Sequence, residues 1–168
     1  MPDMSTVLAA TRGAVDDLVT TADRAAAVWT VPRAPGKWSP SQVVEHVARA
    51  LEESANVVAG TPSKFPTFPG FLRPLVRAVF FNRVLKNNAF PKAKTSKPFD
   101  PASGPATPAA ARSRLHEAFA RFDKECRARA ANGQPVVSTL FGAVSVEDYV
   151  RFQEIHTRHH TRQIPGAM

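Results

Sequence analysis

The sequence predicts an all-α protein, an up-and-down four-helix bundle with a Pro-rich basic insert between its second and third helices. Two observations carry that expectation. Apolar residues recur at three to four residue spacing in four long stretches, and strand-like alternation is scarce. Between the second and third stretches, the Pro-rich region from Thr61 to Pro108 breaks the helical period. A chain of 168 residues, 43% of them hydrophobic, suits a single domain over residues 1–168, with the insert at about 62–105.

The elements follow in order. From about Ser5 to Trp29, the residues Val7, Leu8, Val15, Leu18, Val19, Ala22, Ala26 and Trp29 mark an amphipathic helix. The second helix has the clearest start: Ser39-Pro40-Ser41-Gln42 places a capping Ser before a Pro at the first helical position, with a Gln three residues past the cap. It should run to about Gly60. Inside the insert, Phe71 to Lys86 reads as a short basic amphipathic helix with Pro-rich loops on either side. A third long helix is expected from about Thr107 to Ala131, with Leu115, Phe119 and Phe122 facing the core and Asn132-Gly133 stopping it. The fourth should begin at Ser145 and continue to about Ile164.

The net charge of +8 resides in the insert. Between Pro62 and Phe99 lie eight basic residues (Lys64, Arg73, Arg77, Arg83, Lys86, Lys92, Lys94 and Lys97) and no acidic ones, so the rest of the chain is neutral. Such an insert reads either as a lid or as a segment whose apolar face packs across the bundle. Its charges favour an anionic small-molecule substrate, and they would also suit an anionic membrane surface. No nucleic-acid-binding motif accompanies them, so nucleic acid is not expected as a partner. An exposed apolar insert could also support a homodimer.

No run of about 18 apolar residues occurs, so no membrane span is expected. The N-terminal residues lack the pattern of a secretory signal, and a cytoplasmic location is expected. The single Cys126 cannot form an internal disulfide, and its charged neighbours place it at a helix surface or edge.

Chemistry concentrates near the C-terminus. His156 and His160 are four residues apart, so on a helix they lie about 40° apart on one face, where two imidazoles can share an ion. The same face collects Tyr149, Gln153 and Gln163, whereas His159 points about 100° away from His160. Burying such polar groups unpartnered would cost about 1–3 kcal/mol each, so the face should line a polar pocket or bind an ion. His46, seven residues past the Ser39 cap on the Val43, Val47 and Ala50 stripe, is the third candidate ligand. Gln153, Gln163 and Tyr149 are candidates to orient the ligands from behind. Glu53 shares the His46 face but lies about 10 Å further along the axis. It is either a pocket carboxylate acting as a general base or an exposed charge. Trp38 is expected to pack the start of the second helix.

Three segments carry a family resemblance: Pro35-Gly36-Lys37-Trp38-Ser39-Pro40-Ser41-Gln42-Val43-Val44-Glu45-His46-Val47, then Leu140-Phe141-Gly142-Ala143-Val144-Ser145, then His156-Thr157-Arg158-His159-His160-Thr161-Arg162-Gln163-Ile164. Together they resemble the DinB-like (DinB/YfiT) superfamily. The resemblance implies a four-helix bundle in which His46, His156 and His160 bind a divalent metal. Zinc, nickel, iron or manganese would suit three imidazoles, with a coordination position left open. It further implies a metal-dependent enzyme, with a thiol-dependent S-transferase using a low-molecular-weight thiol preferred over a hydrolase. A non-catalytic bundle that binds metal for structure or sensing is the alternative.

Overall fold

The computed structural model describes residues 3–92 and 94–166. Four long helices dominate it: α1 (Met4–Arg24), α2 (Pro40–Ala59), α5 (Pro108–Ala131) and α6 (Val146–Thr161). Two short helices, α3 (Arg73–Val76) and α4 (Asn82–Asn87), belong to the insert and are joined by a π-helical turn at Arg77–Phe81. The helix α2 packs chiefly along α5, and α1 lies against α6 and α5. Their apolar stripes close a core in which Val15, Leu18, Val44, Leu115, Phe122 and Val150 are fully buried.

The start of α2 matches its sequence signature. Ser39 Oγ accepts from the Gln42 amide at 3.3 Å, and Gln42 Oε1 accepts from the Ser39 amide at 3.0 Å. This reciprocal cap contributes about 1 kcal/mol and, more importantly here, sets the helical phase of His46.

Three features depart from expectation. The helix α1 ends at Arg24, and a 3₁₀ turn at Ala26–Val28 follows. That turn swings Trp29 inward, where its indole Nε1 donates to the Pro105 carbonyl at 2.8 Å. A two-stranded antiparallel hairpin, β1 (Val136–Ser138) and β2 (Gly142–Val144), precedes α6 where an all-α reading has none. Ser138 Oγ holds its turn by accepting from the Leu140 and Phe141 amides, and Val136 and Val144 face the core. Cys126 is fully buried, one helical turn beyond Phe122 on the core stripe of α5. The low-dielectric surroundings push its thiol well above the usual range, so it is an inert core residue.

The insert packs across the framework. Phe81 and Val84 are buried, with the Phe81 ring 4.9 Å from Phe141 and 5.0 Å from Phe152. Its returning arm is tied to the first turns of α2: Gln42 Nε2 donates to the Pro101 carbonyl at 2.9 Å, and Ser41 Oγ to the Pro105 carbonyl at 2.8 Å. Gly104 permits this approach, because a Cβ there would lie 2.1 Å from the Ser41 carbonyl oxygen. On the outer side of the insert, Phe71, Leu75 and Val79 form an exposed apolar stripe.

Candidate metal centre and cleft

The helices α2 and α6 bring His46, His156 and His160 together. The ring nitrogen His156 Nε2 lies 3.2 Å from His46 Nε2 and 3.1 Å from His160 Nε2. These three residues form the one group among the described residues whose ligand atoms, within 4.8 Å of one another, could hold a metal ion.

Two neighbours decide which nitrogens are free. His46 Nδ1 stands 2.8 Å from the Phe99 carbonyl oxygen, which can only accept, so Nδ1 carries the proton and Nε2 keeps its lone pair. His160 Nδ1 is likewise 2.9 Å from Gln163 Oε1. Both Nε2 lone pairs therefore point at the same small volume as His156 Nε2. His156 can donate one proton to one of them, which leaves facing lone pairs that a cation would reconcile.

Spacing supports that reading. Nitrogens about 2.0–2.1 Å from a common ion lie roughly 2.8–3.4 Å apart for octahedral through tetrahedral angles, which brackets the two separations from His156. Electrostatics point the same way. Burial is the main cause lowering the pKa of His46, outweighing the Phe99 hydrogen bond and the nearby Asp100 carboxylate. Burial, and then the neighbouring imidazoles, hold His156 and His160 well below the ordinary histidine value. Neutral imidazoles with available lone pairs are the form that binds metal.

The other candidates fall into place around this centre. Gln163 bridges two histidines, with its Nε2 3.1 Å from His159 Nε2. His159 is half-buried and lies outside the ligand group. Gln153 is 3% exposed and lines the cleft. Tyr149 also lines the cleft; its hydroxyl donates to Ser54 Oγ at 3.4 Å, and burial raises its pKa far above neutral. Glu53 does not join them. Its Oε2 accepts from the Lys64 amide at 2.8 Å and from Asn56 Nδ2 at 3.1 Å, anchoring the start of the insert on α2, away from the cleft lining.

Trp38 does more than pack a helix start. Its ring sits 4.7 Å from His46 and 5.9 Å from His160, it lines the cleft, and its Nε1 donates to Asp100 Oδ1 at 3.0 Å. Phe99 and Phe90 also belong to the site, Phe99 through its carbonyl and Phe90 through a ring 5.1 Å from His156. A sequence clue to them exists: seven of the eleven phenylalanines fall between Pro62 and Phe99, more than a solvated loop would carry.

The three histidines open into a cleft of about 860 Å³. Its walls carry Phe65, Phe80, Phe90, Phe99, Phe141 and Phe152, and its charged lining residues are all basic. Such a space suits a small organic ligand.

Comparison with curated proteins and with solved structures gave no match. A family model does match, over residues 5–164, and its span takes in all three histidines, the hairpin and the insert; the chain belongs to the DinB superfamily.

Proposed function

We propose that the protein is a metal-dependent enzyme built on an up-and-down four-helix bundle, with His46, His156 and His160 as the ligands of one divalent ion. The observation that carries this reading is the convergence of three neutral imidazole nitrogens on a large cleft, with two of the rings oriented by Phe99 and Gln163. Three protein ligands leave room for a ligand from solution, the pattern of catalytic rather than closed structural sites. When bound, zinc, nickel, iron or manganese would supply a Lewis acid that lowers the pKa of a thiol or of water.

A thiol-dependent S-transferase is preferred over a hydrolase. No Asp or Glu lines the cleft among the described residues and the Asp100 carboxylate beside it is engaged by Trp38, so water has no evident general base there, whereas a low-molecular-weight thiol with a pKa of about 8.5 needs less help to ionise. The cleft is also wide enough for a thiol and an electrophile side by side. Phe99 and Gln163 keep the histidine tautomers in register, Trp38 packs the back of His46, and Gln153 offers an amide for orienting a ligand.

The test is turnover. Protein loaded in turn with zinc, nickel, iron or manganese is given a low-molecular-weight thiol and an aryl halide electrophile, and thioether formation is followed. Product formation that stops with chelator and with His156→Ala is expected. Stoichiometric metal without turnover of thiol or ester substrates would favour the non-catalytic alternative, a bundle that binds metal for structure or sensing.

A further inference from the structure

Five basic side chains from three separate regions converge on the cleft: Arg33 and Lys37 from the loop before α2, Lys92 and Lys94 from the insert, and Arg162 at the end of α6. No Asp or Glu lines the cleft with them. None of the five is in an ion pair among the described residues. Five like charges around one concavity give it a positive potential that favours an anion there.

The floor beneath that rim is aromatic. Phe65 stacks on Phe99 with centroids 4.6 Å apart, and Phe90 meets Phe152 edge to face at 4.8 Å. A small inorganic anion would leave these rings uncovered and most of the 860 Å³ unfilled. Gln153 lines the same space and its amide offers a hydrogen bond between rim and floor.

From this division we infer that the cleft binds an amphipathic organic anion, an aromatic body carrying a carboxylate, sulfonate or phosphate group. The anionic group sits among the rim cations and the body covers the phenylalanines. The inference takes from the proposed function only that the cleft is a ligand site. It does not need the metal.

The test compares two probes of equal shape, 2-naphthoate and its neutral amide, 2-naphthamide, by titration calorimetry on metal-free protein at low salt. The carboxylate is expected to bind about tenfold more tightly, with the preference shrinking as salt rises. In Arg33→Gln/Lys37→Gln/Lys92→Gln/Lys94→Gln protein the preference should fall to about twofold, while Phe90→Ala should weaken both probes alike. The four rim residues are exposed, so the quadruple variant should retain its helical circular dichroism. Wild-type protein that binds no metal but keeps the preference would sink the enzyme reading alone. Equal affinity for the two probes, no measurable naphthoate binding at millimolar concentration, or a preference that survives in the quadruple variant would overturn the inference.

Discussion

The outer faces of the long helices and the cleft handle charge in opposite ways. On the outer faces, cations sit beside carboxylates: Arg114 bridges Glu45 and Glu52, Arg158 meets both Asp17 and Glu154, and Arg127 pairs with Asp123 at 2.7 Å. Around the cleft the three ligand imidazoles are neutral and, among the described residues, the lining cations are unpaired and no Asp or Glu lines the wall, Asp100 being held behind Trp38. Exposed pairs contribute only about 0–1 kcal/mol each, so the outer arrangement neutralises the surface without being essential to folding. Histidines buried in the neutral form cost stability in acid and clustered cations repel one another, so both make sense as a binding site.

Acid should expose that difference most strongly. Below the ordinary histidine pKa of about 6.5, the unfolded chain takes up protons that buried His46, His156 and His160 refuse until their lowered values are reached. Stability of the metal-free protein is therefore complete above pH 6.5 and falls below it, by up to about 1.4 kcal/mol per pH unit for each histidine. Urea midpoints between pH 7.5 and 5 read this out, and His156→Ala should flatten the profile. A midpoint that does not move over that range would contradict the burial argument.

The anchoring of the insert comes next in size. Gly104→Ala drives a methyl group into the Ser41 backbone, so the returning arm must lift from α2. A loss of about 1–3 kcal/mol is expected, with weaker ligand binding because Phe99 moves with the arm. Wild-type stability would show that the arm is loosely seated.

How much was legible in the sequence depended on whether a position is set locally. The cap at Ser39 and the helical period place His46, His156 and His160 on facing stripes within their own helices, so their meeting could be anticipated. Cys126 could have been placed too, four residues after Phe122 on the core stripe, had period been weighed above its charged neighbours. Glu53, two turns beyond His46 on α2, lies outside the cleft lining because the start of the insert folds back and the Lys64 amide holds its carboxylate. Trp38 and Phe99 act through partners more than 50 residues away, and the hairpin depends on Gly142 at φ 72° and a Ser138 turn. Long-range contacts of that kind leave no periodic trace in the chain.

On the outer faces the effects shrink. Arg114→Met leaves Glu45, whose side chain is 13% exposed, with only Arg49 as counterion, and should cost about 1–2 kcal/mol in thermal or urea denaturation. Arg127→Gln removes a single exposed i,i+4 pair and should change stability by less than about 0.5 kcal/mol. A larger loss at Arg127 than at Arg114 would invert the ranking by burial.

The central claim is that three histidines from two helices form one metal site. Elemental analysis of tag-free protein tests it most directly, comparing the wild type with a His156→Ala/His160→Ala variant that retains its helical circular dichroism. The expected result is about one divalent metal per wild-type chain and essentially none in the variant. Stoichiometric metal that persists unchanged in the variant would contradict the account.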